Sequence, residues 1–189
     1  AIAMIGVMSG SSSPAVLTDL THTIIYGMVA MVFMMLSLFV TDKTLLPSVN
    51  NTAELEKGNV AIGMVEFCTL VVNGILAYAS IKGDDGGILS SIFYFVAGQI
   101  TLILFVLLYE KVLANKINPV ACVLKGNLSA GVYLCGKIIA YGLILQSAIA
   151  GNGVALSPVD AVIEFVVAAA AGMIMLYIFE LLIDLVIIT

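Results

Sequence analysis

Five long apolar stretches, separated by short polar segments, make up most of the sequence. They run over residues 21–41, 59–81, 88–109, 127–150 and 159–179, and the last continues toward Thr189. At about 1.5 Å per residue, a helix of about 20 residues crosses a hydrocarbon core of about 30 Å. Helices are favoured because an open strand in lipid leaves backbone groups unpaired, and because the stretches lack the alternation of a membrane barrel. The pattern therefore predicts an all-α fold, a multipass transmembrane helical bundle of about five spans.

A three-residue motif occurs twice and indicates an internal repeat. Lys57-Gly58-Asn59 begins the second stretch, and Lys125-Gly126-Asn127 begins the fourth, 68 residues later. Two pairs of glycines keep the same register, namely Gly63 with Gly131 and Gly74 with Gly142. Because each unit contains two helices, and an even number preserves orientation, the pattern predicts a duplicated two-helix repeat whose copies are parallel.

The repeat divides the chain into four predicted segments. Residues 1–20 form an external N-terminal segment, 21–83 the first repeat with spans one and two, and 84–157 the second repeat with spans three and four. Residues 158–189 hold span five, which we interpret as the start of a third repeat.

Composition excludes several classes of function. The 189 residues are 62% hydrophobic and 10% charged, so most side chains must face lipid or other helices. Every basic residue is lysine and no basic stripe exists, which argues against nucleic-acid binding. The cysteines (Cys68, Cys122 and Cys135) are odd in number and form no Cys-x-x-Cys motif. We therefore expect them to pack as small apolar groups, with no disulfide framework, metal or cofactor.

The distribution of lysines predicts the orientation in the membrane. Loop one carries Lys43 and Lys57, and loop three carries Lys111, Lys116 and Lys125. Loops two and four together carry a single lysine. The positive-inside rule then places loops one and three in the cytoplasm, the N-terminus outside and Thr189 on the cytoplasmic side.

Several of these features together resemble a known family. An acidic residue follows the first span, a short loop carries Glu54-Leu55, Gly58-Asn59-Val60-Ala61 opens a glycine-containing span, and Gly126-Asn127 repeats the motif. Over about Leu20–Asn152 this pattern is similar to the bacterial YjfL-like family, known only as a membrane domain of unknown function, number 350. Leu46-Pro47 stands where that family usually has a Thr-Pro pair. The resemblance implies a small bacterial inner-membrane protein and transfers no catalytic residues.

The repeated Lys-Gly-Asn motif has two interpretations. Asparagine is a favoured N-cap because its side-chain oxygen accepts from free backbone N–H groups, so Gly58-Asn59 and Gly126-Asn127 are predicted to cap spans two and four. Alternatively, two parallel helix N-termini, with Lys57 and Lys125 beside them, bind an anionic lipid headgroup.

Polar side chains inside the predicted spans are candidates for function, since burying charge in hydrocarbon is costly. These residues are Glu66, Asn73, Gln99, Lys137 and Gln146. Glu66 and Lys137 are predicted to lie at similar depths in parallel helices, so we expect an ion pair between spans two and four. The alternatives are an ion or proton site, snorkelling of the side chains, or ion pairs with unrelated partners. For the three amides we expect hydrogen bonds between helices.

Small residues let helices approach closely in lipid. The predicted packing positions are Gly63, Gly74, Gly131, Gly142, Ala168 and Gly172. Ala168 and Gly172 lie on one face of span five, which serves either an intrachain contact or a contact between copies. Glu180 and Asp184, near the end of the same span, are expected to mark the cytoplasmic interface, with cation binding as the alternative.

These features lead to a structural hypothesis for the function. The loops are short, and the sequence offers no set of acid, base and nucleophile. We therefore expect a non-enzymatic, oligomeric membrane protein that acts as a structural or scaffold subunit. Its expected partners are the lipid bilayer and further copies or other membrane subunits. The alternative is a small ion channel or transporter that uses Glu66, Asn73 and Lys137.

Overall fold

A computed structural model describes residues 16–44, 51–82, 87–113, 119–151 and 157–187. The helices in this part of the chain are α1 Val16–Thr44, α2 Asn51–Glu56, α3 Val60–Lys82, α4 Gly87–Leu113, α5 Pro119–Leu124, α6 Leu128–Ala150 and α7 Pro158–Ile187. Five of them, α1, α3, α4, α6 and α7, are long and apolar enough to cross a membrane. The predicted all-α multipass bundle is therefore confirmed.

The two short helices are the elements that the hydropathy pattern did not predict. α2 and α5 have six residues each, and each precedes a helix of 23 residues. The same order of long, short and long helix thus occurs in residues 16–82 and 87–150. The duplicated unit itself stays a prediction from the sequence.

α3 and α6 form the centre of the bundle and run parallel to each other. A Cβ atom added at Gly131 would lie 3.1 Å from the carbonyl oxygen of Ala61, and one at Gly142 would lie 2.6 Å from Cγ1 of Val72. From the first contact to the second, residue numbers rise on both helices, from 61 to 72 on α3 and from 131 to 142 on α6. The two helices therefore run in the same direction. Glycine at these positions lets the backbones approach closely, which supplies the van der Waals contact on which helix association in lipid depends.

α4 runs antiparallel to α6. A Cβ atom at Gly98 of α4 would lie 3.3 Å from Cδ1 of Ile149. Further along α4, Phe105 stacks on Tyr141 with ring centroids 3.9 Å apart. Residue numbers therefore rise along α4 where they fall along α6.

α1 and α7 lie against different parts of this centre. α1 packs on α4 through Phe33, whose ring stacks on Phe95 with centroids 4.0 Å apart. α7 packs on α6, where Gly172 contacts Ile144, and Phe165 makes an edge contact with Tyr94 of α4. Gly172 is thus used for an intrachain contact, one of the two roles that the sequence allowed, and Ala168 also packs against the core.

The exterior of the bundle is apolar, as expected for helices in lipid. Burial falls from the centre outward, from 56% of the α3 span to 6% of the α7 span. Residues 1–15 of the predicted external segment and 152–156 of the fourth loop lie outside the described residues. The side chain of Asp184 lies outside them as well.

Candidate functional site

Each Lys-Gly-Asn motif joins a short helix to a membrane-spanning helix through the same backbone turn. In the first copy, the Gly58 N–H donates to the carbonyl of Leu55 at 2.9 Å, and the Asn59 N–H donates to that of Glu54 at 3.1 Å. This pair of bonds is a Schellman motif, which needs a residue with positive φ, and Gly58 has φ 79°. A residue with a Cβ atom would be strained there.

The second copy repeats this geometry. Gly126 has φ 77°, its N–H donates to Val123, and the Asn127 N–H donates to Cys122 at 3.0 Å. Lys125 is the last residue before the glycine and is exposed. The matching turns explain why glycine and asparagine recur together, since the glycine ends one helix and the asparagine begins the next.

The two asparagines lie at the starts of α3 and α6. Oδ1 of Asn59 accepts from the Ile62 N–H at 3.3 Å, and Oδ1 of Asn127 accepts from the Ala130 N–H at 3.2 Å. Asn59 also donates through Nδ2 to the carbonyl oxygens at the end of α5, Val123 at 3.2 Å and Leu124 at 3.4 Å. Asn59 therefore joins the first turn of α3 to the second copy of the motif.

The charge at this end of the bundle is partly neutralised within the chain. Lys57 Nζ lies 2.6 Å from Glu54 Oε1. The hydrogen bond from Lys57 lowers the pKa of the partly exposed Glu54 carboxyl. Because the asparagine side chains already accept from N–H groups of the first turns, the geometry supplies helix capping. The lipid-headgroup interpretation stays a prediction.

An ion pair joins α6 to α7 inside the predicted spans. Lys137 Nζ lies 2.5 Å from Glu180 Oε1, and the two side chains are only 18% and 13% exposed. The Tyr133 hydroxyl donates to the same carboxylate oxygen, and Lys137 Nζ lies 4.3 Å from the centre of the Tyr133 ring. Lys137 lies about 14 Å along α6 from its start, a depth at which an unpaired charge would be costly.

Lys137 pairs with Glu180 of α7, which is a partner that the sequence did not single out, and the expected pair with Glu66 stays a prediction. Cys135 faces α3, where its Sγ donates to the Met64 carbonyl at 3.1 Å. Lys137 follows about 200° further round the helix, on the side of Ile144 and α7. Glu180 thus has a structural partner in the bundle, which the expected interface role did not include. Glu66 lies half-buried on α3.

A cluster of polar side chains joins three helices in the interior. Gln99 of α4 donates through Nε2 to Ser37 Oγ of α1 and to Asn73 Oδ1 of α3, both at 3.0 Å. We call Ser37, Asn73 and Gln99 the polar cluster. The sequence identified both amides but missed Ser37, although a lone serine in an apolar run is a usable signal. Gln146, the remaining predicted amide, lies half-buried on α6.

The predicted packing glycines lie at or near contacts between elements. A Cβ atom at Gly63 would lie 3.2 Å from Cδ2 of Leu55, so this glycine makes room for α2. Gly131 and Gly142 lie at the α3–α6 contact described above, and Gly74 is buried in α3. Within the described residues, no group of three or more His, Cys, Asp or Glu side chains is placed to hold a metal ion.

The family assignment comes from comparison with known proteins. The model of a family described as Domain of Unknown Function (DUF350) matches residues 1–81 and 85–189. The chain belongs to the DUF350 family. The two matched segments meet at the connection between α3 and α4. The resemblance inferred from the motifs is therefore confirmed.

A curated relative of this chain is also named as a transmembrane protein. The UPF0719 transmembrane protein of Aquifex aeolicus (strain VF5) is 27% identical over 128 residues, which cover 65% of this chain and 47% of the relative. The chain thus spans about half the length of that curated relative. No solved structure matches the chain.

Proposed function

We propose that this DUF350 protein is a non-enzymatic structural subunit that forms oligomers in the membrane, with α7 as the contact between copies. A bacterial inner membrane is the proposed location, with the N-terminus outside. The lysines of the first and third loops support this orientation through the positive-inside rule. Two of them, Lys57 and Lys125, lie in the turns that precede α3 and α6.

The observation that carries the proposal is the way in which α7 is held. One narrow stripe of the helix packs on the bundle through Phe165, Ala169 and Gly172, and the Lys137–Glu180 ion pair fixes its rotation. A transmembrane helix stays inserted through its apolar surface alone. A fixed rotation is needed in addition when the opposite face of α7 must contact another copy in one defined orientation.

The opposite face of α7 is large and apolar. Its exposed side chains include Ile163, Val167, Ile174 and Ile178. In lipid, apolar surface by itself gives no preference for protein over acyl chains. Association between copies would therefore depend on shape and close packing, for which a helix of fixed rotation is suited.

Photo-crosslinking tests this contact. A photoreactive phenylalanine analogue at Val167 should produce a covalent dimer in native membranes, because Val167 is 62% exposed on α7. The matched control is Met31, 69% exposed on α1. Dimer formation from residue 167 and not from residue 31 is expected. Crosslinking only from residue 31, or from neither position, would reject α7 as the contact.

A second candidate, a small channel or transporter, is favoured by the polar positions along α3. Glu66, Asn73 and Ser80 are spaced by seven residues, which places them on one side of the helix. Neither Asn73 Nδ2 nor Ser80 Oγ has a hydrogen-bond partner in the described part of the chain. A row of this kind is the arrangement that a polar pathway requires.

Cysteine accessibility separates the two candidates. In a variant whose native cysteines are replaced, Asn73→Cys is treated with a membrane-impermeant thiol reagent. The structural subunit predicts no labelling, since Asn73 is 0% exposed. Phe67→Cys, on the outer surface of the same helix, controls for reaction from within lipid. Rapid labelling at residue 73 alone would favour the pathway.

A further inference from the structure

The amide groups of the polar cluster have unused hydrogen-bonding capacity. Asn73 is 0% exposed and Gln99 is 6% exposed. Both hydrogens of Gln99 Nε2 are used, by Ser37 and by Asn73. The donor Nδ2 of Asn73 and the acceptor Oε1 of Gln99 have no partner among the described residues. A buried amide atom without a partner carries a desolvation penalty, so a native structure rarely leaves two of them together.

The number of unpartnered donors and acceptors does not depend on how the oxygen and nitrogen of the two amides are assigned. If both amide groups are rotated by half a turn, Asn73 Nδ2 donates to Gln99 Oε1, and the free atoms become Gln99 Nε2 and Asn73 Oδ1. One donor and one acceptor are left over in either arrangement. Rotating only one amide would place two donors or two acceptors against each other.

Two other buried polar atoms without a partner among the described residues, the hydroxyls of Ser80 and Tyr141, do not indicate a ligand. The Ser80 hydroxyl has no partner, but a serine on a helix can rotate toward the carbonyl four residues earlier. The Tyr141 hydroxyl is also without a partner among the described residues, and its ring stacks on Phe105. Asn73 and Gln99 differ because they are hydrogen-bonded to each other, so their free atoms lie on two side chains in direct contact.

We propose that one water molecule is bound between Asn73 and Gln99, accepting from Asn73 and donating to Gln99. The pairing of one donor with one acceptor suits a neutral ligand that can do both. A cation would meet the amide hydrogens, and an anion would meet the carbonyl oxygen. Water of this kind typically bridges buried polar groups and is retained as part of the structure. It would tie α3 to α4 beside the contact with α1.

Water-selective NMR of the protein in deuterated lipid nanodiscs tests the site. The side-chain amide signals are ¹⁵N-labelled, and the Asn73 signal is assigned by its loss in Asn73→Leu. We expect a cross-relaxation peak between the Asn73 amide hydrogens and a long-lived water. Ser37→Ala should keep this peak because the free donor and acceptor remain, whereas Gln99→Met should remove it.

The same experiment can overturn the proposal in two ways. Resolved Asn73 and Gln99 signals without any water peak would mean that no water is bound. Exchange of these amide hydrogens with bulk D₂O within minutes would mean an open aqueous path instead of an isolated site. If Asn73→Leu does not fold, Asn73→Ser, which keeps a small polar side chain and also lacks the amide signal, supplies the assignment. Neither outcome bears on oligomer formation, so the water site and the proposed function fail independently.

Discussion

At the scale of single residues, the bundle depends on a few side chains whose polarity or size is unusual for lipid. The Lys137–Glu180 pair is the clearest case, because both charges lie within the predicted spans and are mostly buried. Removing one partner leaves the other charge without its counter-ion, whereas neutralising both leaves two uncharged side chains.

We therefore predict that Lys137→Met alone destabilises the protein more than the double variant Lys137→Met, Glu180→Gln. The single change should cost roughly 3 kcal/mol, the range found when one partner of a buried pair is removed. Thermal unfolding in detergent measures the difference, with Lys82→Met, an exposed lysine, as the control. Additive effects of the two single substitutions would contradict the pairing.

Glycine size gives a second prediction at this scale. Gly142→Ala places a Cβ atom 2.6 Å from Val72, whereas Gly136→Ala on the same helix meets nothing within 4 Å. We expect the first change to destabilise by about 1–3 kcal/mol through overpacking. The second should be neutral or slightly stabilising, since alanine favours a helix. Equal unfolding temperatures for the two variants would argue against the close α3–α6 contact.

At the scale of elements, each copy of the Lys-Gly-Asn motif both ends a short helix and begins a membrane-spanning helix. The glycine ends a short helix and the asparagine starts a spanning one, so the angle between them is set by backbone hydrogen bonds. The two copies are not equal, because Asn59 also donates to α5, at Val123 and Leu124.

Asn59→Ala should therefore cost more stability than Asn127→Ala. Loss of a cap costs about 1 kcal/mol, and the additional contacts of Asn59 should add about 1 kcal/mol. The two variants serve as controls for each other, since they occupy matching positions in the predicted repeat. Unfolding experiments that rank Asn127→Ala as the more harmful change would contradict the bridging role.

The elements also show what the sequence can and cannot predict. The spans followed from apolar length, and both Asn-led helix starts followed from capping preference. α2 and α5 were missed because six residues are too few for a periodic signal. Glu180 was not recognised as the partner of Lys137, since the rotation of α6 and the position of α7 depend on packing. The contacts of Gly131, Gly142 and Cys135 with α3 define that rotation.

At the scale of the whole molecule, the parallel helices α3 and α6 form the centre, and α1 and α7 lie against different parts of it. α7 is the least buried span and is nevertheless held in one orientation by Gly172 and Glu180. The proposed role as a structural subunit depends on this combination, and it predicts that copies associate in the membrane.

Native mass spectrometry of the protein, released gently from its membrane with bound lipid, tests that claim most directly. We expect a homo-oligomer, and a Val167→Glu variant on the outer face of α7 should shift it toward the monomer. The matched variant Met31→Glu on α1 should leave the oligomer intact. A wild-type protein that is monomeric under conditions that retain lipid, with no associated subunit, would contradict the structural role and favour a transport function.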